Sequence, residues 1–303
     1  MKNLVLLVLL TLFFCQEAKS CDACGCGISS TYWGLIPNNS AAYVGLWYQR
    51  QYFRTDLSYL QEDGRAFFSS EDFNTFEWRA RYSLNQKTFL RVVVPFVYHR
   101  RAYGDDITEI SGIGDIRVHA SYIVLNTTDS LLSTVRHRLA IGGGIKAPTG
   151  KYQLVDALDV VNPNFQAGTG SWDFLLEMAY TARWLNWGVQ VNGSYKINTT
   201  NSDAYRFGNQ LNGGLNLFYL HPQGAIDLMP SVGLAYDHAD LDVERGFYQR
   251  TSGGTILSAQ AGFEIYWDQL NLGFNYLHPL EQKWADGVIE VNPRWSVHLS
   301  FSF

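Results

Sequence analysis

The last ten residues of the chain, Arg294-Trp-Ser-Val-His-Leu-Ser-Phe-Ser-Phe303, alternate between apolar and polar side chains. The apolar set is Trp295, Val297, Leu299, Phe301 and Phe303, and the polar set is Arg294, Ser296, His298, Ser300 and Ser302. Successive side chains of a β-strand point to opposite faces, so the stretch predicts a strand with one apolar and one polar face. A soluble β-sandwich and a membrane β-barrel both show this alternation, so other features of the chain are needed to distinguish them.

The same alternation recurs along the chain and predicts about twelve strands. They lie near residues 42–53, 73–83, 87–99, 113–125, 135–146, 171–184, 187–199, 208–220, 225–237, 254–266, 269–278 and 292–303. These segments are longer than the ~5 or 6 residues that are usual for soluble strands. A tilted strand needs ~9 to 11 residues to cross a bilayer, so the lengths favour a membrane barrel.

The connections between the predicted strands alternate in length. Those after the odd-numbered strands are mostly long and those after the even-numbered strands mostly short, with residues 126–134 as the long exception. Outer-membrane barrels combine short periplasmic turns, long external loops and an even strand number, and in lipid only closure leaves no strand edge unpaired. We therefore predict an all-β fold over residues 41–303, a closed antiparallel transmembrane β-barrel of about 12 strands of the outer-membrane type, with both termini periplasmic.

The composition excludes several other classes of protein. Charged residues make up 17% of the chain and apolar residues 47%, and the net charge is −5. The longest apolar run after residue 20 is Val92–Tyr98, far short of the ~18 to 20 residues that a transmembrane helix needs. The apolar share argues against disorder, and the acidic balance argues against a nucleic-acid partner.

The first twenty residues have the organisation of a secretory signal peptide. Met1-Lys-Asn supplies a positive start, Leu4–Phe14 an apolar core, and Ala18-Lys19-Ser20 the small residues that precede a cleavage site. We therefore predict a signal peptide at residues 1–20, a periplasmic leader at residues 21–40 and a location in the bacterial outer membrane. Cys21 would become the first residue of the exported chain, and whether it carries a lipid stays open.

Cleavage at this point leaves three cysteines, Cys21, Cys24 and Cys26, all of them in the leader. An odd number clustered at one end does not form a disulfide framework. One interpretation is a small disulfide between Cys21 and Cys24 or Cys26, with the third thiol free or lipidated. The other is a site for a soft metal such as Cu(I) or Zn(II), because closely spaced thiolates suit these ions. Its fourth ligand would come from the new α-amino group, Asp22 or a periplasmic metal-handling partner.

The polar face of the predicted strands carries most of their charge. The predicted lumen-lining residues are Arg79, Arg81, Arg91, Arg117, Arg138, Glu177, Asp227 and Glu264, together with Arg136, Lys146, Asp173 and Asp237. The basic residues lie on the second to fifth predicted strands and the acidic ones on later strands, so we expect them on different arcs of the wall. Charges arranged in this way set the selectivity of pores. A barrel of about twelve strands is intermediate in size, so a narrow channel and a lumen closed by ion pairs or by the leader both remain.

Three stretches of the chain resemble one family of membrane proteins. They are Gly112-Ile-Gly-Asp-Ile-Arg-Val-His-Ala-Ser-Tyr122, Arg138-Leu-Ala-Ile-Gly-Gly-Gly-Ile-Lys-Ala-Pro-Thr-Gly150 and Gly168-Thr-Gly-Ser-Trp-Asp173. A Gly-x-Gly-Asp strand start followed by a Gly-rich strand ending in Lys-x-Pro-Thr-Gly resembles the outer-membrane transporters named for the meta-pathway of phenol degradation. The resemblance covers roughly residues 110–303 and implies an outer-membrane pore for small organic molecules. The Cys-x-x-Cys-x-Cys leader is a departure from that family's general pattern.

Two hypotheses about function follow. In the first, the chain lies in the lipid bilayer as a channel or transporter for a small solute or ion, with a narrow polar lumen. In the second, the cysteine leader captures a soft metal, and the barrel exports, imports or anchors it. We do not expect an enzyme, a catalytic residue or an organic cofactor. The remote alternative is a lipase-like barrel, because His119-Ala-Ser121 and His298-Leu-Ser300 have the spacing of a serine–histidine pair on one strand face.

Overall fold

The computed structural model of the chain describes residues 42–56, 68–127, 134–152, 155–156, 159–160, 163 and 165–303. The strands are β1 (Ala42–Asp56), β2 (Phe68–Ser83), β3 (Thr88–Tyr103), β4 (Asp106–Ile113), β5 (Arg117–Asn126), β6 (Val135–Lys146), β7 (Val155–Asp156), β8 (Asp159–Val160), β9 (Asp173–Trp184), β10 (Trp187–Ile197), β11 (Tyr205–Arg206), β12 (Gln210–Tyr219), β13 (His221–Gln223), β14 (Ile226–Ala239), β15 (Asp242–Glu244), β16 (Phe247–Gln249), β17 (Gly254–Trp267), β18 (Leu270–Trp284), β19 (Ile289–Val291) and β20 (Arg294–Ser302). A short 3-10 helix, Ala285–Gly287, lies between β18 and β19. In these ranges no helix is long and apolar enough to cross a membrane.

Twelve of these strands form one closed antiparallel ring. Around the ring the order is β1, β2, β3, β5, β6, β9, β10, β12, β14, β17, β18 and β20. The ring closes where β20 pairs with β1, from Tyr43 opposite Ser302 to Arg50 opposite Trp295. The predicted fold class, a closed antiparallel β-barrel of twelve strands, is confirmed.

The two ends of the barrel differ in the length of their connections. One end, called here the terminal end, holds Ala42, Phe303 and tight turns such as the one at Leu185 between β9 and β10. The other end, called here the loop end, holds the connections that follow β1, β3, β6, β10, β14 and β18. A small sheet of β11, β15 and β16 also lies there, so the connections after β10 and β14 are folded against each other.

A buried tyrosine fixes this small sheet. The Tyr205 hydroxyl donates a 2.6 Å hydrogen bond to Asp242, whose other oxygen accepts the backbone N–H of Gly208 at 2.7 Å. Burial, together with the negative charge of Asp242, raises the pKa of Tyr205 above its ordinary value. The phenol therefore keeps its proton and remains the donor.

Strand bounds differ from the predicted ones mainly at the loop end. β2 begins at Phe68 rather than near residue 73, and β18 ends at Trp284 rather than near residue 278. Backbone pairing continues into the loops, as between Phe68 and Asp56. Side-chain alternation fades there, and this is why the sequence did not reveal the longer strands.

The fourth predicted strand is divided into two. β4 and β5 both pair with β3, but residues 114–116 between them are not part of the ladder, and only the N–H of Gly114 still donates to Pro95 O of β3, at 2.9 Å. Asp115 accepts hydrogen bonds from the backbone N–H groups of Gly150 and Thr169 instead. The interruption is therefore held by contacts from a distant loop.

Exposure alternates along the wall strands, as the sequence pattern predicted. On β2, for example, Arg79 is 7% exposed whereas its neighbour Trp78 is 58% exposed. The outward side chains are apolar and include Tyr82, Val118, Leu176, Val232, Trp267 and Phe301. An apolar exterior of this kind suits contact with lipid.

One glycine of the wall packs directly against an aromatic ring. Gly188 on β10 stands opposite Phe218 on β12, and a Cβ at Gly188 would overlap the Phe218 ring. Phe218 in turn packs with Leu220 and Met229 in a buried apolar cluster. Gly188 is therefore needed for the ring to lie flat against the wall.

We predict that Gly188→Ala lowers the free energy of unfolding by about 1–3 kcal/mol, because the added methyl group displaces the Phe218 ring. Urea unfolding of the refolded protein in detergent micelles measures this change. Gly193→Ala is the matched control on the same strand, since a Cβ there meets only an atom 3.7 Å away. Equal stability of both variants would contradict the prediction.

Candidate functional site in the barrel interior

Charged side chains from most wall strands meet inside the barrel. Of the predicted lumen-lining residues, Arg79, Arg81, Arg91, Arg117, Glu177 and Glu264 are buried, and Arg138 and Asp227 are partly buried. Lys146, Asp173 and Asp237 are also buried, whereas Arg136 is exposed. Most of these groups are held in ion pairs, several of which join strands that are not adjacent in the wall.

Glu77 joins two of the predicted arginines. It accepts hydrogen bonds from Arg79 Nε at 2.8 Å and Nη2 at 2.6 Å, and its second oxygen accepts from Arg117 Nη2. Glu77 and Arg79 lie on β2 and Arg117 on β5, so the cluster bridges β3. Glu77 was not among the predicted site residues. The signal for it is its position two residues before Arg79, on the same strand face.

Aromatic contacts continue this cluster around the wall. The Arg79 guanidinium lies 4.6 Å from the centre of the Trp47 ring, and Trp47 stacks on His298 with ring centres 4.7 Å apart. His298 Nε2 is 3.2 Å from the carboxylate of Glu264. A continuous series of side-chain contacts therefore joins β17, β20, β1, β2 and β5.

A second cluster joins Arg91 on β3, His119 on β5 and Glu177 on β9. Arg91 Nη2 donates to both oxygens of Glu177 at 2.9 Å, and His119 Nδ1 lies 3.1 Å from Oε1. Glu177 has to reach across β6, where it stands opposite Gly142. A Cβ at Gly144 would come within 2.8 Å of His119 Nδ1. The glycine run of β6 therefore leaves the space in which these three side chains meet.

The three family-like stretches meet around one buried carboxylate, that of Asp115. It accepts hydrogen bonds from the backbone N–H groups of Gly150 and Thr169, both at 2.9 Å, and from Lys146 Nζ at 2.7 Å. Lys146 Nζ is also 2.7 Å from Asp173. Asp115 comes from the first stretch, Lys146 and Gly150 from the second, and Thr169 and Asp173 from the third. The motifs thus fix the connection between β6 and β9 onto the wall.

The expected separation of basic and acidic residues onto different arcs is wrong. Glu77 and Asp115 lie among the basic residues of the first half of the chain, and Arg294 on β20 pairs with Asp237 on β14. Removing a charge from water is costly unless an opposite charge compensates it. The buried charges of the wall therefore occur mostly in clusters that contain both signs.

Two of the predicted arginines, Arg81 and Arg138, form no ion pair with a carboxylate among the described residues. The Nε atoms of Arg81 and Arg138 have no hydrogen-bond partner among the described residues, and neither side chain reaches a carboxylate there. Arg81 lies over the ring of Phe89 at 4.4 Å and is close enough to Arg138 for an electrostatic interaction. Both occur near the terminal end, where they leave a net positive charge.

An apolar layer of buried side chains lies at the loop end, on the side of the ring formed by β1, β2, β14, β17 and β18. Phe165, which is 1% exposed, comes from the connection between β6 and β9 and packs edge-on against Phe73 of β2 at 6.1 Å. Phe53, Ile256 and Trp284 belong to the same buried cluster. The layer narrows the interior on the side of the long loops.

Amide side chains line a cavity between β1, β10, β12, β14, β17, β18 and β20. The cavity has about 580 Å³ of empty space, part of it continuous with solvent. Its amide side chains are Gln49, Asn192, Asn212, Asn216, Gln260 and Asn275. The ion pair of Asp237 with Arg294 also lines it. The interior therefore has a charged side and an amide-lined side.

The cysteine leader lies outside the described residues, so the disulfide and the soft-metal site stay predictions. In the part of the chain that the structure describes, no group of three or more His, Cys, Asp or Glu residues is placed to hold a metal. The histidines of the two serine–histidine spacings serve the charged clusters. His119 faces Glu177 at 3.1 Å, and His298 Nε2 lies 2.8 Å from Asn271 Oδ1.

A closed antiparallel wall with an apolar exterior and a polar interior defines a β-barrel of the outer-membrane type. The profile of one family, described as "Putative MetA-pathway of phenol degradation", matches residues 67–284, which is more than half of the chain. The chain belongs to this family. The cysteine leader lies outside the matched residues.

Solved structures share the fold. The chain is 17% identical to an outer membrane channel from Pseudomonas putida F1, with a TM-score of 0.62, over 87% of this chain and 96% of that one. It is 12% identical to the beta domain of the Bordetella autotransporter Brka, with a TM-score of 0.52, over 87% of this chain and 100% of that one. At such identities the similarity shows the barrel architecture alone. Among curated protein sequences there is no significant match.

We predict that Asp115→Asn lowers the free energy of unfolding by about 3–5 kcal/mol, because it leaves Lys146 short of a buried counter-charge. Urea unfolding of the refolded barrel measures the loss. Asp72→Asn is the matched control, since it breaks an ion pair with Arg50, which is 45% exposed, and such exposed pairs contribute about 0–1 kcal/mol. A loss at Asp115 no larger than that at Asp72 would contradict the role of the motifs as a structural brace.

Proposed function

We propose that the protein is an outer-membrane channel for a small solute, which passes through the narrow polar interior of the barrel. The observation that carries this proposal is the interior cavity beside a charged wall, inside a barrel whose exterior is apolar. Water and polar solutes need hydrogen-bonding groups along their path, and pore selectivity depends on such lining groups. Membership of the family and the fold shared with the channel of Pseudomonas putida F1 support the same function.

The proposed orientation places the terminal end in the periplasm and the loop end outside the cell. Outer-membrane barrels have short periplasmic turns and longer external loops, and the connections at the two ends differ in this sense. The apolar layer with Phe165 then lies on the external side. The positive charge of Arg81 and Arg138 lies on the periplasmic side of the path.

The charge clusters of the wall have little net effect on a passing ion. Glu77 is shared by two arginines, which leaves one positive charge, and Lys146 is shared by two aspartates, which leaves one negative charge, so the two clusters balance each other. Arg91, Arg117 and Lys146 are held by carboxylates, so the ions in the lumen respond mainly to Arg81 and Arg138. The predicted selectivity is therefore a preference for anions, set near the terminal end.

We predict that the purified, refolded protein gives stepwise conductance in planar lipid bilayers. Phe165→Ala will increase the conductance of each step about twofold or more, because removing the ring opens the apolar layer that narrows the path. Phe247→Ala is the control at the same end, because Phe247 is 76% exposed on β16. Absence of steps in the wild type, and also after deletion of residues 21–40, would refute the channel function.

We predict that the double variant Arg81→Gln/Arg138→Gln lowers the ratio of anion to cation permeability about threefold or more, since charges lining a pore set its selectivity. Reversal potentials across a salt gradient measure this ratio. Lys87→Gln is the control, because Lys87 is an exposed residue in the turn between β2 and β3. An unchanged ratio in the double variant would show that the two arginines do not face the permeating ions.

A further inference from the structure

The amide-lined cavity offers hydrogen-bonding atoms that other described residues do not use. Asn216 is 1% exposed, and its Oδ1 has no partner among them. Arg294 is 5% exposed and donates to Asp237 through Nη2, whereas its Nη1 has no partner in the same part of the chain. Buried polar groups are nearly always hydrogen-bonded, and exceptions point to a water, an ion or a ligand. Two residues that line the cavity therefore carry one buried acceptor and one buried donor that other described residues leave unused.

Two glycines keep the amide side chains against the wall. Gly233 stands next to Asn216 on the neighbouring strand, and a Cβ there would lie 2.5 Å from Asn216 Oδ1. A Cβ at Gly214 would lie 2.8 Å from Asn192 Oδ1. Side chains at these positions would push the amides into the cavity. The small residues therefore preserve both the cavity and the placement of its amides.

The charges that line the cavity are balanced. Asp237 and Arg294 form an ion pair, and the remaining polar side chains are amides and the Ser296 hydroxyl. A charged solute would lose its hydration there without gaining an unpaired counter-charge. A hydroxyl group is both a donor and an acceptor, so hydroxyl groups suit an unused acceptor such as Asn216 Oδ1 and an unused donor such as Arg294 Nη1.

We propose that this cavity is a binding subsite for small uncharged solutes that carry hydroxyl groups. The proposal rests on the channel function and deepens it by naming the class of solute. Its lining of amides, one ion pair and one hydroxyl supplies the few polar groups that orient small organic molecules in pockets. Arg81 and Arg138 act at another level of the barrel, so a preference among ions and a subsite for hydroxyl groups coexist in one path.

Liposome swelling tests the subsite with two uncharged or net-neutral solutes of similar mass, erythritol and glycine betaine. Erythritol carries hydroxyl donors and glycine betaine has none. We expect Asn216→Leu to slow erythritol-driven swelling about three- to tenfold, the effect of one lost hydrogen bond, and to leave swelling with glycine betaine unchanged.

Gln190→Leu is the matched control, because Gln190 is a buried interior amide that does not line the cavity. Asn192→Leu is a second test variant from the cavity wall, in case Asn216→Leu does not fold. Each variant is accepted only when its single-channel conductance in salt matches the wild type within about twofold, which shows an intact barrel.

The outcomes separate the subsite from the channel. Normal conductance with equal erythritol rates in the Asn216, Asn192 and Gln190 variants overturns the subsite and leaves the channel standing. Equal slowing of erythritol and glycine betaine also overturns it, because the effect would then be one of pore width. Absence of both conductance and swelling in the wild type refutes the channel function itself, and with it the subsite.

Discussion

The structure depends on one constraint, the pairing of every backbone N–H and C=O group that crosses lipid. No water is present in the hydrocarbon layer to take their place, so a sheet there has to close on itself. The ladder between β1 and β20 provides the closure, and the backbone groups of Ala42 and Phe303 bond to each other at 3.2 and 3.0 Å at its end. Once the ring is closed, successive side chains of each strand point alternately to the lipid and to the interior.

The interior is crowded because it receives half of the side chains of twelve strands. Long charged side chains fit there only where neighbouring positions are small, as Gly142 and Gly144 are beside Glu177 and His119. The low polarity of a closed interior also favours neutral pairs over separated charges. Ion pairs and glycines are thus two consequences of the same closure, and the space left over lies on the amide-lined side.

The strands could be predicted from the sequence because each has alternating apolar and polar residues, as a wall between lipid and a polar interior requires. The twelve predicted segments match the twelve wall positions, and even the inward position of Arg294 and His298 follows from the closing stretch. The pairing of charges could not be predicted. Glu77 reaches Arg117 across β3, and Arg294 reaches Asp237 across two strands, and such contacts depend on barrel curvature and side-chain length. The amide-lined cavity was not predicted either. Its asparagines and glutamines are uncharged and come from separate strands, so no charge pattern in the sequence indicates that they meet.

The closing ladder has a consequence for how the protein is made. All other neighbouring wall strands follow one another in the chain, whereas β1 and β20 are the first and last of the twelve wall strands. Hairpins can form early, because bringing nearby segments together costs little loop entropy, but the ladder between the two ends has the highest cost. Until β20 arrives, both β1 and β18 present open edges, which are sites of aggregation in a free chain. A chain of this barrel therefore keeps two unpaired strand edges until β20 joins β1 and β18.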